Sequence, residues 1–292
     1  MEENIVENGV IVEVNRILVS EMGKWVQRRI EKLPEVARYP AYNAVRNLVW
    51  AGGIATLEPS RYQDGERGFR VPAAFLAMHA MEEAVTAVVL SAKKAGYGRL
   101  AKSVNVRDHY HKTTLAWLFG QVVEMVQESK PAIAYSGEAD EIILQTDEGG
   151  KKYHQVAMLG LLGWRDEQGS PLTSLTGMLL KRHGGEEKLA EIVKSNGSAR
   201  NSLMYATKDG FLTGPPDLAS DLEGLTKTVL AVLWAAIDIT DKTGERAQIV
   251  EIALRTTAEL KKLAFPPPAK DQCPLGKDCA ISAEYSPDGK FY

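Results

Sequence analysis

The chain has 292 residues, of which 45% are hydrophobic and 25% charged, and its formal net charge is −3. This composition is that of an ordinary globular protein and excludes wholesale disorder, a collagen-like repeat and a disulfide scaffold. The slight acidic excess also excludes a protein that coats nucleic acid with its whole surface, so any nucleic-acid contact is restricted to a local patch.

The cellular compartment is predicted from three features. Cys273 and Cys279 are too few for a disulfide framework and are interpreted as free thiols in a reducing compartment. The longest apolar stretch, residues 71–92, contains a histidine and two adjacent glutamates, and charges at the centre of a membrane span are costly. The acidic start lacks the basic region of a secretory signal. We expect a cytoplasmic protein without a membrane span.

Helical periodicity dominates the first half of the chain. Apolar residues at three- and four-residue steps predict a long N-terminal helix over residues 4–33, which ends at Pro34. Glycine pairs, a polar loop and prolines then separate the next predicted helices. These cover residues 42–51, 72–94 and 106–129.

The second half continues in the same way after an acidic segment at residues 132–150, which is predicted to hold one short helix or strand. Further helices are predicted over residues 152–162, 174–182, 186–195, 198–206, 218–239 and 245–263. Few segments alternate apolar and polar residues as strands do. We therefore predict an all-α class, with one helical bundle over residues 1–265 and an extended tail rich in proline and glycine over 266–292.

The third predicted helix is apolar nearly all round, which places it at the centre of the bundle. Its polar residues His79, Glu82 and Glu83 fall in one stripe. Three interpretations remain open: a partly exposed polar seam, a buried carboxylate pair that needs a cation, and a metal site. Because the chain lacks the paired Glu-x-x-His sets of di-iron bundles, we expect no metal and no cofactor.

A cation for these carboxylates is available on a later predicted helix. Arg200 shares a helix face with Leu203 and Met204. An arginine on an apolar face either extends to solvent or meets a carboxylate. We expect Arg200 to pair with Glu82 or Glu83, and the alternative is an ordinary surface arginine.

Residues 93–112, here called the basic segment, form the densest run of cations in the chain and include a single acid, Asp108. The cations are Lys93, Lys94, Arg99, Lys102, Arg107 and Lys112. Cations beside flat aromatic rings bind phosphates and unstacked bases, and two tyrosines lie among these cations. The simpler interpretation is a solvated loop between helices.

His109 and His111 lie near the end of the basic segment. A histidine exchanges a proton near neutral pH, so both are candidates for acid–base catalysis, and a structural or merely exposed histidine is the alternative. His111 shares a helix stripe with Leu115 and Leu118 and is expected to face inward. His109 is expected to lie further out.

Together these residues resemble the abortive-infection family AbiV, which is similar to the wider all-α HEPN superfamily. The resemblance is carried by Phe75-x-Ala77 before Glu82 and Glu83 with Lys93, by His109 and His111 with Lys112, and by Arg200 with Tyr205. The matched region spans residues 72–213, about half of the chain. The extra N-terminal helix and the extended C-terminal tail lie outside it.

The resemblance implies a HEPN-like bundle and a bacterial antiphage role exerted on RNA, a translation component or a phage protein, with homodimerisation as an option. His79, Glu82, Glu83, Arg200 and Tyr205 would form its structural polar cluster. Many HEPN proteins are metal-independent ribonucleases with an arginine followed, after four to six residues, by a histidine. Only three residues separate Arg107 from His111 here. The resemblance therefore favours a protein that acts by binding RNA or a translation component. The alternatives are an endoribonuclease and a non-catalytic bundle that binds proteins.

Overall fold

The computed structural model describes residues 14–55, 70–128, 132–148, 151–161, 163–166, 168–204, 218–242 and 246–266. Its helices are α1 (Glu21–Arg29), α2 (Glu35–Ala55), α3 (Arg70–Lys94), α4 (Gly98–Lys102), α5 (His109–Glu128), α6 (Thr176–His183), α7 (Glu186–Met204), α8 (Leu218–Asp241) and α9 (Gln248–Ala264). Residues 14–19 are also helical. The prediction of a mainly helical protein is confirmed, and the structure also contains one small β-sheet.

The central helix is α3, which packs on α2, α8, α5 and α7. It matches the predicted helix over 72–94, and its buried residues lie on nearly all of its faces. In the part of the chain that the structure describes, it alone is long and apolar enough to cross a bilayer, yet 67% of that window is buried inside the protein. This burial is what the core helix of a bundle shows.

The N-terminal helix differs from its prediction because it is interrupted at Ser20. The Ser20 hydroxyl accepts a hydrogen bond from the Gly23 backbone N–H at 3.1 Å and so caps α1. A 3₁₀ turn, Ile30–Lys32, ends this part of the chain. Residues 4–13 of the predicted helix lie outside the described residues.

A three-stranded antiparallel sheet follows α5, in the order β1 (Ala132–Ser136), β2 (Glu141–Glu148) and β3 (Lys151–Val156). The helix predicted over 152–162 is therefore wrong, and only a 3₁₀ turn, Leu159–Leu161, falls within it. A strand is stabilised chiefly by the neighbouring strand, so local helical spacing did not decide this segment.

Hydrogen bonds at both ends attach the sheet region to the bundle. The Trp25 indole donates to the Asp140 carbonyl at 2.7 Å, which joins the turn after β1 to α1. The Leu159 backbone N–H donates to the Asp238 carboxylate on α8 at 3.0 Å. Burial raises the pKa of Asp238 above its ordinary value. The sheet is thus connected to the bundle at both ends.

The two helices predicted over 186–195 and 198–206 form a single helix, α7, within the described residues. Gly197 does not interrupt it. A Cβ at this position would lie 1.9 Å from Cδ1 of Tyr110 on α5. The glycine therefore permits close packing of α5 and α7, which is one of the reasons for glycine inside a helix.

The remaining predicted helices agree with the structure to within a few residues, with two exceptions. The predicted helix over 42–51 begins earlier, at Glu35, because α2 accommodates Pro40 inside it. The short helix α4 was not predicted, and α5 begins at His109. The tail from residue 267, with Cys273 and Cys279, lies outside the described residues.

Candidate functional site

The first turn of α5 is held in place by Asp108, the residue before it. Its carboxylate accepts a hydrogen bond from the Tyr110 backbone N–H at 2.8 Å. A carboxylate at a helix N-terminus satisfies a free N–H and interacts favourably with the helix dipole. This capped turn carries His109, His111 and Lys112.

Glu82 of α3 is the buried charge of the site, with 1% of its surface exposed. Its Oε2 lies 2.7 Å from Nζ of Lys112 and 2.9 Å from Nδ1 of His109. We call these three residues the ionic cluster. Lys112 is itself only 7% exposed. A buried carboxylate needs such partners, because an uncompensated charge away from water is strongly unfavourable.

The ionic cluster distinguishes between the three interpretations given above for the polar residues of α3. Glu82 is a buried carboxylate with a cation, and among the described side chains Lys112 provides that cation. The Arg200 side chain and Tyr205 lie outside the described residues, so the expected pairing of Arg200 stays a prediction. Glu83 is only half-buried and lines a surface groove together with residues of α2, so the two glutamates are not a buried pair.

His109 and His111 have different environments, as their helix positions predicted. The His109 side chain is 44% exposed, and the His111 side chain is 14% exposed. The Glu82 carboxylate accepts from Nδ1–H of His109, a tautomer inferred from the geometry, in which Nε2 carries no proton. His109 is therefore the histidine that can reach a bound molecule.

His111 belongs instead to the support of the site. Its Nδ1 lies 3.4 Å from Asp108 Oδ2, an electrostatic contact without hydrogen-bond geometry among the described residues. Burial lowers the pKa of His111, and the charge of Asp108 offsets part of that decrease. Burial also raises the pKa of Asp108, but the hydrogen bond and charge of Lys261 outweigh this and leave it below its usual value.

The other side of this turn is apolar and aromatic. The Tyr110 ring packs edge-on against Phe265 with centroids 4.6 Å apart, and Lys261 Nζ lies 4.5 Å from the Tyr110 centroid. Lys261 also pairs with Asp108 at 3.1 Å. The sequence analysis missed the capping role of Asp108, because it began this helix at residue 106; an acid just before a helix is the signal that indicates such a cap. Lys261 is remote in sequence, and no local signal indicates it.

The basic segment divides into exposed and buried parts. Five of its cations have exposed side chains and are called the exposed basic residues: Lys93, Lys94, Arg99, Lys102 and Arg107. Lys93 is exposed but close enough to the protein interior for partial burial to lower its pKa. The expectation that Lys112 belongs to the surface patch is wrong, because Lys112 is buried against Glu82. The exposed basic residues lie at the end of α3, on α4 and just before α5.

His79 lies on α3 one turn before Glu82 and is not a member of the ionic cluster. Its ring stacks on Phe75 one turn earlier in the same helix, with centroids 6.3 Å apart. Within the described ranges, no group of three or more His, Cys, Asp or Glu side chains is arranged to hold a metal ion. No protein-family model, curated protein or solved structure matches this chain.

Proposed function

We propose that this chain is an abortive-infection-type, HEPN-like antiphage protein that binds RNA, or an RNA-containing part of the translation machinery, through the exposed basic residues. One observation carries the proposal. Five exposed cations lead directly into the turn where half-exposed His109 is held by buried Glu82. Three of the residues that carry the resemblance to AbiV, namely Glu82, His109 and Lys112, therefore lie together.

The electrostatics of this surface suit a polyanion. Asp108, the only acid in the basic segment, pairs with Lys261 and caps α5, so its charge is already compensated. Phosphate oxygens bind exposed lysine and arginine, and each such contact releases counterions from the nucleic acid. A local patch of this kind permits RNA binding by a chain whose net charge is −3.

A direct test measures RNA affinity as a function of salt concentration. The wild-type chain should bind single-stranded RNA with an affinity that falls as salt rises. Changing Arg99, Lys102 and Arg107 together to Gln should weaken binding at low salt and flatten the salt dependence. A triple variant that binds RNA and ribosomal fractions like the wild type at every salt concentration would contradict the proposal.

The antiphage role has its own test, because binding alone does not establish it. Bacteria that express the wild-type chain should restrict phage growth, and bacteria that express the triple Gln variant should lose most of that protection. Protection by a variant that no longer binds RNA would indicate a protein target.

A second candidate function, a metal-independent endoribonuclease, is favoured by the contact of 2.9 Å between Glu82 and His109. A carboxylate that orients a histidine leaves the other ring nitrogen in place as a general base. His109 Nε2 would take the proton of an RNA 2′-hydroxyl, whose oxygen attacks the adjacent phosphorus. The 5′-oxygen would leave with a proton from water, and a 2′,3′-cyclic phosphate would remain.

The two functions differ in what His109 does. His109→Ala should leave the affinity of a binding protein nearly unchanged, whereas it should abolish turnover by a ribonuclease. RNA cleavage is measured with and without EDTA, and a metal-independent enzyme keeps its activity in EDTA. His111→Ala serves as the comparison, because His111 faces inward and should affect cleavage only through stability.

A further inference from the structure

The outer face of α2 exposes an unusual amount of apolar surface. Of the eight large hydrophobic side chains exposed in the described part of the chain, five lie on α2, with exposed fractions from 39% to 72%. They are Val36, Tyr39, Tyr42, Val49 and Trp50. With Asn43 and Arg46 between them, they occupy a sector of about 140° around the helix. We call these seven residues the outer face.

On an ordinary surface helix the bulky apolar residues face the core, whereas on α2 they face outward and small residues face the core. Small buried residues, including Ala37, Ala41 and Ala44, form the face toward α3. The bulky aromatic residues point the other way. Apolar surface normally directs a helix toward its neighbour, and contiguous exposed apolar patches mark interaction sites. This arrangement is expected if another surface covers the outer face.

A surface groove of about 430 Å³ adjoins the outer face. Its lining residues are Tyr39, Pro40, Tyr42, Asn43, Arg46 and Glu83. The Arg46 guanidinium lies 4.8 Å from the ring centroid of Trp50 and donates a hydrogen bond to Asn43. The outer face thus has both a recess and protruding aromatic side chains, which suit a self-complementary interface between two copies.

The charges on α2 change sign along the helix. Glu35 lies in its first turn and Arg46 in its second half. Glu31, before the helix, is already paired within the same chain, since its Oε2 lies 3.7 Å from Nη1 of Arg38. In an antiparallel pair of identical helices, Glu35 of one copy lies about one turn from Arg46 of the other, at both ends of the contact. RNA would instead meet Glu35 and Glu83, whose charges disfavour a polyanion.

We propose that the outer face is a homodimer interface in which α2 packs antiparallel on α2 of a second copy. A two-fold axis between Tyr42 and Asn43 places Val36 opposite Val49 of the second copy. The same axis places Tyr39 opposite Arg46, where a cation–π contact forms. Every contact then occurs twice, as in an isologous interface. This inference does not rest on the proposed function.

The first test measures the mass of the full chain by analytical ultracentrifugation over about a hundredfold range of concentration, since dimerisation depends on concentration. The wild-type chain should dimerise, and Arg46→Glu should weaken the dimer on the order of tenfold or more by placing two acids together. Adding Glu35→Arg to that variant should restore most of the affinity. Met178→Ser, which removes an exposed side chain outside α2, should leave the dimer unchanged.

The second test determines the register. In a background with Cys273→Ser and Cys279→Ser, Val36→Cys and Val49→Cys should each fail to form a disulfide-linked dimer alone, because identical positions are about 20 Å apart. Mixing the two variants should give the linked dimer. Circular dichroism of every variant shows whether the helices remain folded.

Several outcomes would overturn the inference. A wild-type chain that is monomeric at every concentration would do so, as would a dimer with the same affinity after Arg46→Glu in a folded variant. Cross-linking of Val36→Cys to itself would show a different register. A monomer that loses RNA affinity in Tyr39→Ala and Trp50→Ala would identify the outer face as a nucleic-acid surface instead.

Discussion

The ionic cluster and the exposed basic residues use the same kind of charge in opposite ways. Lys112 belongs to the same run of cations as Arg107, yet Lys112 is 7% exposed and lies 2.7 Å from Glu82. The exposed basic residues face solvent. The difference teaches that position in the fold decides whether a cation of this run is buried against an acid or exposed at the surface.

The physical reason is the cost of removing a charge from water. A buried charge must have a partner, so removing one member of the pair leaves the other in an apolar environment without compensation. An exposed charge keeps its water, and its contribution to stability is roughly 0–1 kcal/mol. This contrast can be tested by substitutions, taken here in order of decreasing effect on stability.

Lys112→Met should destabilise the protein most, by on the order of 3 kcal/mol or more, because Glu82 would keep a buried charge without its lysine. Lys102→Met, the matched change at an exposed lysine, should cost less than about 1 kcal/mol. Urea unfolding followed by circular dichroism measures both. The double variant Glu82→Gln with Lys112→Met should recover much of the stability. Equal destabilisation by the two single variants would remove the contrast.

Gly197→Ala tests the packing that supports the ionic cluster. The new methyl group would lie 1.9 Å from Tyr110 Cδ1, so the Tyr110 ring must move. We expect a destabilisation of about 1–3 kcal/mol, since overpacking a tight contact costs that much. Gly224→Ala on α8 is the control, because nothing lies within 4 Å of its new methyl group. It should stabilise the helix by up to about 1 kcal/mol, and the reverse order would contradict this account of Gly197.

His111 should make stability depend on pH. Its pKa is lowered by burial from the ordinary value of 6.5, so the folded chain binds fewer protons than the unfolded chain just below that pH. The stabilisation is present above pH 6.5 and is lost as the pH falls from there toward the folded pKa. The wild type should therefore lose more stability between neutral and mildly acidic pH than His111→Phe. Parallel urea titrations at both pH values measure the difference, and equal decreases would show that His111 is not the group responsible.

Changing Arg99, Lys102 and Arg107 together to Gln should have the smallest effect on stability, with an unfolding midpoint close to that of the wild type. The same variant should show the largest change in RNA binding, with a salt slope reduced by somewhat less than one unit for each phosphate that the protein no longer neutralises. Thermal unfolding and RNA titrations on one preparation make the comparison. A large decrease in stability would mean that these cations support the fold.

Parts of the site were predictable because they depend on local spacing alone. The apolar residues around α3 predicted a central helix, since such a helix has no face to expose. The positions of His109 and His111 in α5 predicted which of them faces inward, because the helical repeat fixes their relative directions. A buried carboxylate pair that needs a cation was one of the three interpretations that the sequence left open for Glu82 and Glu83.

The partners of those residues depended on contacts between distant parts of the chain. Lys112 was assigned to the surface from its charge, but α5 packs on α3 and buries it against Glu82. Helical spacing also failed for β3, whose strand is stabilised by pairing with β2. Gly197 resembled a helix break, yet it permits close packing on Tyr110.

The sequence by itself therefore determined the helical class, the central place of α3 and the orientation of the two histidines, because each follows from periodicity within one helix. Only the tertiary structure decided which cation neutralises Glu82, which cations stay exposed, and which face of α2 carries its aromatic residues to the surface. Those features require the distance between helices that are far apart in sequence, and periodicity within one helix contains no such distance.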